Sequence, residues 1–378
     1  MASKKGVIEV QFNWIFILIA GGVILLFFVG VVQKQREYSK FKVAEAITSD
    51  LRTILSGAKA SKETASLIDL PEIEIEYDCS GYFIEKLTSI NPHIAFSPRL
   101  IKGRALMAWA LSWNMPYRVA NFLFLTSTDV RYILVKNDGE NSAADQINKI
   151  LPPRAITGEN TQKILMNKEV IQEQNLGTVE NKNNYKVRFV FFKNSQNQCN
   201  GLDDSISLAN FADMDNEDVT AVCFEPVNGQ FNLNLDSYGK VIFYEKDETH
   251  KFKQKGEKSY YLGKPSVIAA IFSDDIETYN CNMKRAFKTL NLATQVYKNR
   301  TKDLKEHYLY AESSKCFTLF SQAATSLETI KENSKELSQN FPPQDKNSIQ
   351  NIYDAITTQN GLANTNNNAQ RLSCAEIY

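Results

Sequence analysis

The chain has 378 residues, with 43 basic and 43 acidic side chains, a formal net charge of zero and 43% hydrophobic residues. That length and apolar content suffice for one large core or two ordinary ones and argue against global disorder. The balanced charge lacks the excess of Lys and Arg that a dedicated nucleic-acid binder sets against phosphates, so no nucleic-acid partner is expected.

Residues 1–14 form a short N-terminal segment. Ile15 to Val32 then reads IFILIAGGVILLFFVGVV without a charge. As an α-helix this run spans about 27 Å, close to the hydrocarbon thickness of a bilayer. Trp14 sits at its edge, where an indole favours the interface. The reading is a transmembrane helix whose partner is membrane lipid. A cleaved secretory signal competes with it, but the run exceeds an ordinary signal core and no convincing A-x-A site follows. Residues 33–60 continue the helix as an amphipathic extension. Phe41, Ala44, Ile47, Leu51, Ile54 and Leu55 recur at steps of three and four, which is one helical face. Lys34, Arg36, Lys40 and Lys42 charge the turns nearest the lipid, and the second half of the helix is expected to dock on the domain that follows.

Lys4-Lys5-Gly6, then Val7-Ile8-Glu9-Val10-Gln11-Phe12 and the apolar run, resemble the N-terminus of type IV pilin-like proteins. The resemblance implies cleavage between Gly6 and Val7 and packing of the hydrophobic helix into a filament. It departs at the fifth mature position, where that family carries Glu and this chain has Gln11; Glu9 is third.

Two signals on membrane orientation disagree. The flank after the apolar run carries more Lys and Arg than the flank before it, which by the positive-inside bias puts the domain in the cytoplasm. All six cysteines (Cys79, Cys199, Cys223, Cys281, Cys316 and Cys374) lie after the run, without C-x-x-C spacing. Three structural disulfides need an oxidising exterior, whereas six buried thiols suit the cytosol. We weigh the cysteines above the flank charges and expect an extracytoplasmic domain. Cys199 and Cys223 flank one acidic loop and are the expected bridge, although six cysteines allow fifteen pairings.

The composition beyond residue 60 predicts an α/β domain over 71–265 and an antiparallel helical bundle over 274–378. Ile73 to Tyr77 alternates as a half-buried strand does. Leu106 to Trp113 precedes the turn Asn114-Met115-Pro116. Phe122 to Leu125, Tyr132 to Val135, Val187 to Phe192, Val219 to Phe224 and Val241 to Tyr244 are apolar runs typical of strands buried on both faces. Ala143 to Leu151 reads as a helix ended by Pro152-Pro153, and Ile164 to Gln174 as another. Asp274 with Glu277 suggests a helix start. Met283, Phe287, Leu290, Ala293 and Tyr297 mark one amphipathic helix, and Cys316, Phe320, Ala323, Leu327 and Ile330 a second. Ile349, Ile352, Tyr353 and Ile356 begin a third, which is expected to fade into the Asn-rich stretch at 364–368.

Ala95-Phe96-Ser97-Pro98-Arg99, the Trp109 to Trp113 segment with its Asn-Met-Pro, and Tyr279-Asn280-Cys281-Asn282-Met283 resemble an uncharacterised family of archaeal membrane-anchored proteins. The resemblance covers most of the chain and implies no activity.

Chemistry is sparse. His93, His250 and His307 are scattered, and G-x-S-x-G, Walker A, H-E-x-x-H and G-x-G-x-x-G motifs are missing, so no cofactor is expected. Asp213, Asp215, Glu217 and Asp218, with Asp203 and Asp204 nearby, form the densest carboxylate cluster. They are weak calcium candidates: the sixth position from Asp213 is Asp218 rather than Gly, and no Glu closes the loop. The sequon Asn299-Arg300-Thr301 falls on a predicted helix. Trp109 and Trp113 share a face on a strand or on a helix, and core packing is their expected role. The sequence thus reads as a non-enzymatic envelope protein that presents a domain for binding or assembly. A pilin-like subunit assembling through its N-terminal helix and a membrane-tethered enzyme are the alternatives.

Overall fold

A computed structural model describes residues 5–60, 64–84, 89–90, 94–136, 142–157, 162–193, 199–202, 206–227, 237–310 and 314–378. Helix α1 (Lys5–Ala60) runs unbroken through both the apolar and the amphipathic segments. Trp14–Arg36 is long and apolar enough to cross a membrane, and none of its apolar window is buried among the described residues. Thr48, further along, is buried. The side chains of Phe41, Ala44, Ile47, Leu51, Ile54 and Leu55 lie outside the described ones.

The first sheet contains β1 (Ala65–Tyr77), β2 (Tyr82–Ile84), β3 (Ser89–Ile90), β4 (Ala95–Phe96), β5 (Leu100–Asn114) and β6 (Arg118–Ser127), in the order β3-β2-β1-β5-β6-β4. It is antiparallel except where β4 pairs with β6. The register of β1 against β5 slips between Asp69 and Ile73. This is where Pro71 removes a ladder donor. Opposite it stands Gly103 at φ +126°, where an added Cβ would lie 2.6 Å from Asp129 Oδ2. The turn after β6 carries the chain into a second sheet, built on β7 (Val130–Lys136), β10 (Asn167–Gln172), β11 (Lys186–Phe192), β12 (Val219–Pro226), β13 (Tyr238–Lys246), β14 (Phe252–Gln254) and β15 (Ser259–Leu262). Its order is β10-β7-β11-β12-β13-β14, with β15 also on β13. The first four strands are parallel, and β13 to β15 are antiparallel. Helix α2 (Ala143–Ile150) lies in the crossover from β7 to β10, as a parallel pair requires. Strands β8 (Ala155–Thr157) and β9 (Gln162–Ile164) form a separate pair.

Alternation along the strands builds the layers. Met107, Trp109, Leu111 and Trp113 of β5 and Phe122 and Phe124 of β6 face the main core, whereas Leu106, Ala108, Ala110, Leu123 and Leu125 face the opposite side. The second half of α1 packs on β1, β5 and β6 over that opposite side. Helix α3 (Lys264–Phe272) is apolar all round, and every residue from Pro265 to Phe272 is buried. It sits between the sheets: the Phe272 ring lies 6.3 Å from Trp109 and 5.3 Å from Phe124 on one side and 5.5 Å from Tyr132 on the other. Trp109 and Trp113 are core residues, and the Trp113 indole donates to Leu262 O at 3.1 Å.

Helices α4 (Ile276–Tyr310) and α5 (Ser314–Gln339) form an antiparallel hairpin, with Asn291 donating to Lys331 O and Lys305 over the Phe317 ring. Helices α6 (Asn347–Thr357) and α7 (Leu362–Arg371) pack on α5. Met283, Phe287, Leu290, Phe320, Leu327, Ile330, Ile349 and Ile352 continue the same core that fills the space between the sheets.

Three expectations need correction. Ile164 to Gln174 is not a helix: it holds the end of β9, all of β10 and the start of a 3₁₀ segment, because Val170 and Ile171 pair with Leu134 and Val135 of β7. The Asn-rich stretch does not fade. It lies within α7, where Thr365 and Asn366 are buried and Asn366 Oδ1 accepts from Ile377 N at 2.7 Å. Asp274 does not start α4. Asp275 does, its Oδ2 accepting from Thr278 N at 2.9 Å, while Asp274 turns inward.

Candidate functional site

A charged pocket of about 210 Å³ lies where the two sheets meet the α3–α4 link, lined by Arg99, Lys186, Asp218, Lys255 and Asp274 among others. Lys186 and Arg188 alternate in β11 with apolar neighbours, and this places both cations on the face turned toward α3. The Lys186 side chain is 4% exposed; its ammonium pairs with Asp274, reaches Asp218 at 3.7 Å and donates to Glu217 O at 3.1 Å. Asp274 also accepts from Arg99 N at 2.7 Å. Burial pushes the Asp274 carboxyl up, but Lys186, the Arg99 amide and Arg188 outweigh it and hold the group below the usual aspartate range. Asp218 is raised, because burial outweighs its attraction to Lys186.

Arg188 is 1% exposed and closes the C-terminal end of α3. It donates to Ile271 O at 3.3 Å, to Ala270 O at 3.0 Å, to Ser273 O, and across the sheet to Ala221 O at 3.1 Å. The last carbonyls of a helix have no partner within it and carry its negative end. A guanidinium with five donors answers both needs. Burial brings its pKa down to about 10, against the pull of Asp274, so it stays charged at neutral pH. Lys168 does the same at the end of α2, donating to Asn148 O and Leu151 O.

The acidic loop has a related role. Lys246 is buried and donates to Phe211 O at 2.8 Å and Met214 O at 2.5 Å. Burial lowers its pKa, and Asp215 and Asp213 act against that. Asp213 and Asp215 therefore answer Lys246, while Asp218 answers Lys186, which Glu217 meets only through its backbone carbonyl. Among the described residues no group of three His, Cys, Asp or Glu side chains could hold a metal ion. Asp203, Asp204 and His93 lie outside the described residues. His250 occupies a turn at φ +55°, and His307 packs edge-on against Tyr308. Neither lines the charged pocket. Thr301 of the sequon is fully buried in α4.

The six cysteines form three bonds: Cys79–Cys281, Cys199–Cys223 and Cys316–Cys374, with Cα separations of 5.9, 5.9 and 5.8 Å. The first ties the β1–β2 turn to α4, where Arg285 also donates to Cys79 O. The second joins the acidic loop to β12 and is the pairing read from the sequence. The third ties the C-terminal tail to α5. Gly6 and Val7 lie in the first turns of α1.

The Lys186–Arg188–Asp274 junction matches no sequence motif. Its signal was present in Lys186-Val187-Arg188, two cations inside an otherwise apolar strand. Among the described residues both of its cations, Lys186 and Arg188, have hydrogen-bond or ion-pair partners on and just before β12 and on the α3–α4 segment, and these contacts join the sheets and helices to one another. In comparisons with known proteins, no family model, no curated protein and no solved structure matches the chain.

Proposed function

We propose that this is a single-pass, membrane-anchored cell-envelope protein whose domain lies on the oxidising side and serves binding or assembly rather than catalysis. The observation that carries the reading is the pairing of an exposed apolar segment, Trp14–Arg36, with a domain in which all six cysteines are bonded. An exposed apolar helix of that length has a large hydrophobic cost in water and little in lipid. Stable disulfides belong to oxidising compartments. The flank charges favour the other side, but a short N-terminus is readily retained in the cytoplasm. Protease added to intact cells carrying a C-terminally tagged chain tests the orientation. Loss of the tag signal supports the proposal, and full protection until the membrane is opened refutes it.

A pilin-like subunit is the second reading. It is favoured by one continuous helix from Lys5 to Ala60 whose first half is free and whose second half packs on a sheet. A mature N-terminus at Val7 supports it, and an intact start at Met1 or Ala2 counts against it.

A further inference from the structure

A second cavity, also about 210 Å³, opens where the β5–β6 turn meets α6 and α7. Met115, Pro116, Leu262, Ile356 and Ala363 make its apolar wall. Asn114, Tyr353 and Thr357 add polar groups, and among the described residues no charged side chain lines it.

The polar groups are not equivalent. The Thr357 hydroxyl is spent on Tyr353 O at 2.9 Å. Among the described residues, neither the Asn114 carboxamide nor the Tyr353 hydroxyl has a hydrogen-bond partner. A carboxamide offers donors and an acceptor, and a phenol offers one of each. The walls are held from behind. The Tyr353 ring packs on Tyr238 with centroids 4.7 Å apart, and Trp113 grips Leu262 O. An apolar cavity of about 150 Å³ is already enough to admit benzene. This one is larger and carries two unspent polar groups at its wall, the usual make-up of a small-molecule site.

We infer that this cavity binds a small neutral molecule, one ring or a short branched chain in size, whose single polar head group is held by Asn114 and Tyr353. A charged ligand would leave water without a counter-ion, which is costly. The inference stands on the folded domain and is independent of the side of the membrane it faces.

The test is calorimetric titration of the full chain in lipid nanodiscs with benzamide, against empty nanodiscs. Benzoate and benzylamine serve as charged controls of the same size. Benzamide is expected to bind saturably and the controls at least tenfold more weakly. Asn114→Ala should weaken benzamide about tenfold, the worth of one to two hydrogen bonds. Ala363→Phe should abolish binding by filling the cavity, and Ala363→Leu reduces it if the larger ring prevents folding. Absence of saturable binding, undiminished binding by a folded Ala363 variant, or equal affinity for benzoate would overturn the inference.

Discussion

Arg188→Met keeps the long apolar stem and removes the guanidinium that closes α3. Four carbonyls then lose the guanidinium as a donor: Ile271, Ala270, Ser273 and Ala221. Each such group costs about 1–3 kcal/mol when buried without a partner. Relaxation recovers part of that, and the variant no longer buries a cation. Removal of one member of a buried charged network costs about 3–5 kcal/mol, and we expect this range. Arg188→Lys keeps the charge but not the planar fork, and should recover about half. The assay is urea unfolding of the full chain in nanodiscs, followed by Trp fluorescence, since Trp109 and Trp113 are both buried in the core beside α3. A loss below about 1 kcal/mol for Arg188→Met would show that α3 ends without its help, and the junction would no longer explain how the sheets are joined.

Other consequences follow from the same geometry. A chain starting at Gln33 should fold and stay soluble, whereas one starting at Thr64 loses the helix that contacts β1, β5 and β6 and is expected to expose part of the apolar cluster there, such as Ile68, Leu106, Leu123 and Leu125. That exposure costs about 10 kcal/mol at about 1.5–3 kcal/mol per side chain, so size-exclusion chromatography should show aggregates; a monomeric, cooperatively folded 64–378 chain would refute the docking of α1. Asp274 should make the domain acid-sensitive. Its folded pKa lies below the ordinary 3.8, so its stabilisation is present above that value and lost as pH falls through the folded one. Asp274→Asn should flatten the fall in unfolding midpoint between neutral and acidic buffer, and an unchanged slope would contradict the assignment. Replacing Cys199 and Cys223 with Ser opens a loop of 24 residues, and replacing Cys79 and Cys281 opens one of 202. On chain entropy these cost about 3 and about 5 kcal/mol; the reverse order in thermal unfolding would show that entropy is not the main term.

Local patterning made much of this fold legible. The apolar run at 15–32, the buried runs that became β6, β7, β11, β12 and β13, and the heptad-like spacing of α5 depend on nearby residues, and each is found as an element. What stayed hidden depends on distant partners. Val170 and Ile171 suit a helix or a strand until β7 lies beside them. The Asn-rich 364–368 segment has poor helix propensity, and its place in α7 rests on tertiary contacts such as Asn366 to Ile377. Helix α3 is short and apolar all round, so it carries no periodicity to read. The charged junction joins Arg99, Lys186 and Asp274 from three separate parts of the chain, which no spacing rule could bring together. The Cys199–Cys223 bridge was legible because its partners flank one loop, while the other two pairings needed the fold.

Bonded cysteines carry the proposal that the domain lies on the oxidising side of a membrane. The most direct test takes native membranes, denatures the chain without reductant in the presence of an alkylating reagent, and counts modified cysteines by mass spectrometry. None of Cys79, Cys199, Cys223, Cys281, Cys316 and Cys374 is expected to be modified until reductant is added, when all six are; that result supports the proposal. Six modified cysteines before reduction would place the domain in a reducing compartment and contradict it.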